Sequence, residues 1–236
     1  METVHSRDVK DPNFISREEL AALAPAEIEK LRQSVILSSK INNSFVRSQW
    51  FPFPRDLCFP IEKPLFKKWA SGREMLVEIG VFEGTSALTF RKVMAPHGVL
   101  HLIDPFIAVP DSGLTARPWL AQLNVTLSRR GRVVWHRDYS FSVVKMWRTP
   151  IDFLFIDGDH RLPSCQKDWE TWSPFMKVGG VVIFHDARFG RGGNGSWDGW
   201  PGPSMVVNEN FRGPGKLPNW EIVEEAGTAV AVQRVW

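Results

Sequence analysis

The sequence predicts an α/β domain: a mostly parallel sheet with helices on both faces. Three observations predict it. Short apolar runs begin at Met75, Val99, Val133, Ile151 and Val178. Amphipathic segments of helical length separate them, the alternation that a parallel sheet with crossover helices requires. Two of the runs, IDFLFI and VGGVVIF, are apolar almost throughout, as suits strands covered on both faces.

Taken in order, residues 1–45 read as polar and helical. Pro25 suits a first helical turn, Glu27 favours a helix N-terminus, and Ile28, Leu31 and Val35 recur at helical spacing. RSQWFPFPRDLCFP, from Arg47 to Pro60, is too rich in proline for a long helix. It reads as a strap, a candidate subunit contact or substrate wall. The chain thus divides into an N-terminal helical cap with its strap, 1–60, and an α/β domain, 61–236. MLVEI, VLHLI, VVW, IDFLFI and VGGVVIF are the strands, and 84–95, 115–129, 140–148 and 163–176 are the helices between them. ARFGRGGNGSWDGWPGP, from Ala187 to Pro203, reads as a long loop, which inside a compact domain is usually functional or disordered. A short helix near 204–212 follows. WEIVE and TAVAVQR then flank Ala226 and Gly227 as an antiparallel pair.

Composition narrows the class of function. Apolar residues make up 43% of the 236 and charged residues 23%, so the chain is long and apolar enough to bury a core. A net charge of +3 without a clustered basic face argues against nucleic acid as a partner. Arg129, Arg130 and Arg132 read as a solvated turn before a strand. No apolar run approaches the roughly 18 residues of a membrane helix, and METVHSRDVKDPNF lacks the apolar core of a signal peptide. Two cysteines, Cys58 and Cys165, are too few for a disulfide framework and are expected to be reduced thiols of a cytoplasmic protein.

In open α/β sheets, ligands bind at the carboxyl ends of the parallel strands. Each strand here ends in suggestive residues. VEIGVFEGTS, from Val77, places Gly80 and Gly84 between a strand and a helix, either for close approach to a ligand or simply for a tight turn. Asp104 ends the second strand, where a carboxylate suits the two hydroxyls of a ribose or a helix N-cap. Asp138 follows the third, placed to accept from an adenine amino group or to cap a helix, as Ser140 also is. The fourth run ends in Asp157, Asp159 and His160, and the fifth in His185 and Asp186. Carboxylates gathered in one partly buried crevice repel one another, and a bound cation would offset that repulsion.

These five edges, in order, resemble the class I S-adenosylmethionine-dependent methyltransferases. Within them the chain is similar to the small metal-dependent O-methyltransferases, including the catechol and macrolide-sugar enzymes. The resemblance covers about residues 73–236. It implies a Rossmann-like, doubly wound, mostly parallel seven-stranded sheet with an antiparallel C-terminal strand and an N-terminal helical cap. It further implies that Glu78, Gly80, Gly84 and Ser86 surround the methionine and ribose part of S-adenosylmethionine, Asp104 holds the ribose, and Asp138 reaches the adenine. Asp157, counted among the cofactor residues as well, matches the first metal aspartate. His185 and Asp186, 28 and 29 residues later, match the paired metal ligands. His160 stands where the family carries its general base. One departure is plain: the first of the paired ligands is ordinarily an acid, not a histidine. Mg²⁺ prefers oxygen ligands, whereas imidazole suits Mn²⁺ or a softer ion. Either His185 points away, or the metal is not Mg²⁺, or none binds.

The expected reaction is methyl transfer to a hydroxyl of a small sugar or phenolic natural product, assisted by a divalent metal (Mg²⁺ or Mn²⁺), with His160 taking the proton. The loop with Trp197 and Trp200 is expected to close over the acceptor. A non-catalytic protein that kept the fold and binds the cofactor or a partner is the alternative. A nucleic-acid enzyme fits less well, since DGDH replaces the Asn/Asp-Pro-Pro-Tyr/Phe run of base amino-methylating enzymes. Homo-oligomerisation through the strap remains open.

Overall fold

The computed structural model describes residues 22–24, 26, 27, 30, 54, 56–107, 116–191 and 197–236. Most of the N-terminal cap and strap therefore lies outside the described residues. Within the cap, the Glu27 carboxylate accepts from the Ala24 N–H at 2.7 Å where a helical turn begins.

Nine strands form: β1 (Met75–Ile79), β2 (Val99–Ile103), β3 (Arg132–His136), β4 (Ile151–Ile156), β5 (Met176–Phe184), β6 (Gly190–Arg191), β7 (Trp197–Asp198), β8 (Trp220–Ala226) and β9 (Ala229–Arg234). The described helices are α1 (Lys63–Ala70), α2 (Thr85–Val93), α3 (Pro118–Thr126), α4 (Ser140–Val143), α5 (Leu162–Trp172) and α6 (Pro201–Phe211). The main sheet has seven strands in the order β3-β2-β1-β4-β5-β9-β8. β1 to β5 are parallel, β9 runs antiparallel to β5, and β8 antiparallel to β9. This is the doubly wound sheet with an antiparallel C-terminal end that the sequence predicts.

Strand alternation explains why both faces are covered. Along β4, Phe153 and Phe155 turn to a core containing Phe66 of α1 and Phe90 of α2, while Leu154 and Ile156 turn to one containing Trp169 and Trp172 of α5 and Phe211 of α6. The apolar run is continuous because each face has its own helices to bury against. Phe66, Phe90 and Phe155 meet edge-on or tilted at 5.0–6.0 Å between centroids, a packing that adds to area burial.

Two boundaries differ from expectation. The sixth helix begins at Pro201 rather than 204, because Pro201 and Pro203 both fall in its first turn, where backbone N–H groups have no intrahelical acceptor. The glycine-rich stretch is not wholly loop: Gly190–Arg191 and Trp197–Asp198 pair as a two-stranded ribbon. Its end is fastened down, since a Cβ on Gly202 would lie 2.1 Å from the His160 carbonyl oxygen. No helix among the described residues is long and apolar enough to cross a membrane.

The order places β1 between β2 and β4, so the chain winds away from β1 in both directions. A crevice opens at such a switch point. There the turn after β1 touches the end of β4: Gly80 has φ +85°, and a Cβ on it would lie 2.0 Å from the Asp157 carbonyl oxygen. Gly80→Ala is expected to cost more than about 2 kcal/mol, combining backbone strain with a clash against main chain. Urea unfolding measures this, and a loss within about 0.5 kcal/mol would show that the two strand ends do not touch.

Candidate functional site

Four of the five parallel strands, β1, β2, β4 and β5, keep the hydrogen-bond ladder for one residue past their ends. Gly80 N–H donates to Ile103 O at 2.9 Å, Asp104 N–H to His136 O at 3.1 Å, Asp157 N–H to Ile79 O at 2.9 Å and His185 N–H to Ile156 O at 3.0 Å. The sheet thus delivers a glycine, two aspartates and a histidine to one edge, with fixed backbones.

At the first turn, Asp104 shapes the backbone. Its Oδ2 accepts from the Val81 and Phe82 N–H groups at 2.8 and 2.9 Å, and its Oδ1 from the Phe106 N–H at 2.6 Å. Three of the roughly four acceptor positions of the carboxylate are therefore in use. Phe82 and Phe106 sit at φ 50° and 53°, left-handed conformations that a bulky residue keeps only when held there. Below the turn, Glu78 is fully buried and accepts from the Ser86 hydroxyl through Oε1, while its Oε2 has no partner. Burial pushes the Glu78 carboxyl well above the usual carboxylate range, against the Ser86 hydrogen bond. Gly84 is the N-cap of α2. Beside it, buried Glu83 takes Arg117 Nε and Nη2 at 2.7 and 2.9 Å, tying the turn to α3.

The ends of β4 and β5 carry a cluster of acids and imidazoles. His160 Nε2 lies 3.2 Å from Asp157 Oδ1 and 3.5 Å from Asp186 Oδ2. The Trp200 ring stacks on it at 5.2 Å and 6°. Asp186 adopts φ 53°, and its Oδ1 accepts from the Thr228 hydroxyl at 2.9 Å. His185 turns the other way. Its Nδ1 is 3.1 Å from Asp157 Oδ1 and its Nε2 is 3.1 Å from Oε2 of Glu62, which is itself fully buried. Ionised carboxylates only accept, so with both acids ionised both ring nitrogens donate and the ring is an imidazolium. Burial opposes that charge, but Asp157, Asp186 and Cys58 outweigh it and hold the His185 pKa well above its ordinary value. Burial likewise opposes ionisation of Asp157, and His185 and His160 overcome it, keeping the carboxylate well below its usual range. His160 is raised as well: burial lowers it, and Asp157 and Asp186 more than compensate. Glu62 is saturated, its Oε1 also accepting from Thr228 N–H at 2.8 Å and its Oε2 from Phe59 N–H at 2.8 Å.

The predicted residues are therefore only partly gathered. A cavity of about 530 Å³ is lined by Gly80, Asp104, Asp157 and His160, with Trp200 on its wall. Glu78, Gly84 and Ser86 stand behind the glycine turn. Asp138 is exposed, accepts from the Tyr139 N–H at 2.7 Å, and lines a separate groove with His136 and Met146. His185 does not join Asp157 and Asp186 in a ligand set, because both of its nitrogens are committed to carboxylates. Two donor groups converge among the described residues: Asp157, His160 and Asp186 at the cavity, and Cys58, Glu62 and His185 behind it, the ligand atoms of each group lying within 4.8 Å of one another. Sequence reading missed Glu62, Arg117 and Asp168. Glu62 sits in PIEKP, where an acid at a helix start looks like an ordinary capping residue.

A family model described as a methyltransferase domain matches residues 77–187. The O-methyltransferase NovP superposes with a TM-score of 0.58 at 13% identity, over 89% of this chain and 99% of that one. The O-methyltransferase from Bacillus cereus in complex with SAH superposes with a TM-score of 0.54 at 14% identity, over 90% and 92%. These likenesses show the fold. An uncharacterized protein, y4gI of Sinorhizobium fredii, is 36% identical over 50 residues, covering 21% of this chain and 6% of that relative. The methyltransferase-domain model thus matches the segment from β1 to the end of β5, and the fold is like that of these O-methyltransferases.

The Glu62–His185–Asp157 chain makes a stability prediction. Glu62→Ala leaves a buried imidazolium short of a partner and is expected to cost about 3–5 kcal/mol in urea unfolding near pH 6. The pair is fully effective between about pH 4, above which unfolded aspartate ionises, and about pH 6.5, below which unfolded histidine keeps its proton. Stability then falls as pH rises through the raised folded pKa of His185, and as pH drops through the depressed one of Asp157. A cost under about 1 kcal/mol would show that His185 carries no charge.

Proposed function

We propose that this chain, with its methyltransferase domain over residues 77–187, transfers the methyl group of S-adenosylmethionine to a hydroxyl of a small sugar or phenolic acceptor. The arrangement of Asp157, His160 and Asp186 beside the glycine turn carries this reading. The residues present suit the cofactor. The cavity has the size of small-ligand sites, roughly 300–1,000 Å³, and behind the glycine turn the buried Glu78 Oε2 has no partner among the described residues. Asp104 lines the cavity at the end of β2, where a ribose is held in this sheet type.

When bound, S-adenosylmethionine supplies a methyl group on a sulfonium, ready for in-line attack. The protein has to align the acceptor oxygen and remove its proton, and alignment alone is worth several kcal/mol. His160 Nε2 donates to Asp157, which leaves Nδ1 as the basic atom. Asp157 and Asp186 stabilise the ring once it has taken the proton, as the acid of an acid–histidine pair does elsewhere. The stacked Trp200 ring restricts the imidazole to one orientation and shields it from water. The modest net charge suits a small acceptor rather than nucleic acid.

A second reading has its own support: the same three residues converge as a mixed oxygen and nitrogen donor set, suited to Mn²⁺ more than Mg²⁺. Such an ion would lower the pKa of the acceptor hydroxyl. The readings compete for one atom, because His160 Nε2 either donates to Asp157 or gives its lone pair to a metal.

His160→Ala, assayed with saturating cofactor, is expected to lower turnover by about 10²–10⁴ while S-adenosylhomocysteine binds nearly as before. Because the folded pKa of His160 is raised, the wild-type rate should climb with pH above about 6.5. Unchanged turnover in the variant removes His160 from the chemistry. Abolition of wild-type turnover by a chelator, with rescue by Mn²⁺, selects the metal reading. Cofactor binding without turnover on any hydroxylated acceptor selects the non-catalytic alternative.

A further inference from the structure

We infer that Asp168 on α5, rather than Asp138, is the carboxylate that recognises the adenine amino group of the cofactor. This rests on the reading that the cavity takes S-adenosylmethionine.

Asp168 is 6% exposed, yet it lines the same cavity as Gly80 and Asp104. Its Oδ1 accepts from the Ser140 hydroxyl, its one hydrogen-bond partner among the described residues. Oδ2 borders the space in front of Gly158, where a Cβ would lie 3.3 Å from it. Asp168 is thus a largely buried carboxylate that still reaches the cavity, and burial raises its pKa to about 6. The nearest candidate cation is used otherwise: Lys167 Nζ sits over the Phe141 ring at 4.3 Å. The site therefore offers the cavity a carboxylate whose Oδ1 is taken by Ser140.

Its surroundings say which donor. Tyr139 and Phe141 stack on each other at 5.0 Å and also line the cavity, giving an aromatic wall for a flat base. Gly158 leaves a floor without a side chain between Asp157 and Asp159. A flat heterocycle bearing an exocyclic amine fits such a wall with a carboxylate at its edge. Ser140 fixes the carboxylate rotamer, so Oδ2 presents in one direction. Asp138 meets none of these conditions: it is exposed, its Oδ1 accepts from a backbone N–H, and it lines another groove.

The test compares S-adenosylhomocysteine with S-inosylhomocysteine, in which a carbonyl oxygen replaces the amine, by calorimetry on the full chain. Wild type should bind the adenosyl compound about tenfold or more tightly. Asp168→Ala should lose most of that preference, and Asp138→Ala should keep it. Asp168→Asn retains an acceptor for Ser140 but can present an amide N–H₂, so its preference should swing toward the inosyl compound. A merely structural residue would weaken both ligands alike. Retention of adenosyl preference in both Asp168 variants, or its loss in Asp138→Ala, overturns the assignment. If wild type binds neither nucleoside, the cofactor reading itself falls, and the assignment falls with it.

Discussion

The site depends on where the sheet's hydrogen bonds stop. β1, β2, β4 and β5 each continue the ladder one residue past the strand, so Gly80, Asp104, Asp157 and His185 have backbones fixed by the sheet at the rim of the crevice. A ladder one residue shorter would leave these groups on mobile loops, and one residue longer would bury their charges. Contact between the Gly80 turn and the Asp157 carbonyl then sets the width of the crevice. The two large aromatic cores beneath make this edge stiff, because β1 and β4 are packed on both faces.

Electrostatics complete what the ladder begins. Two aspartates and a buried glutamate converge at the ends of β4 and β5, and two imidazoles separate them. His185 is enclosed between Glu62 and Asp157 and works as an internal cation; His160, partly exposed and stacked on Trp200, faces the cavity. One histidine stabilises the acids and the other is available for proton transfer. The two imidazoles take different places because His185 continues the ladder of β5 and turns toward Glu62, whereas His160 lies in the loop beyond β4 against Trp200. Thr228, from the hairpin that closes the sheet, joins Glu62 to Asp186 and so couples the C-terminal strands to the same cluster.

The fold was legible in the sequence because period and burial speak locally: five apolar runs, helical spacing between them, and a terminal antiparallel pair. The switch point was legible too, through Gly80 and the polar ends of IDFLFI and VVIF. What stayed hidden is long-range. Glu62 lies 123 residues from His185, and nothing in PIEKP distinguishes a partner of a buried imidazolium from a helix cap. The resemblance pairs His185 with Asp186 while leaving open that the ring points away, and sequence does not show which way it turns; here Nε2 faces Glu62. Asp168 is one of two acids in α5, and only the fold brings it against Ser140 and Gly158 from elsewhere in the chain. The helix at Pro201 was started late because proline reads as a stop when its first-turn role is not visible.

On the proposed function, this crevice is a nucleoside site with a proton acceptor on its wall. A crystal structure of the chain with S-adenosylhomocysteine tests it most directly. The account places the homocysteine part against the Gly80 turn, the ribose at Asp104 and the sulfur on the side of the cavity that His160 lines. A complex with the ligand in the groove by His136 and Met146, or a cavity that stays free of it at saturating concentration, would contradict it.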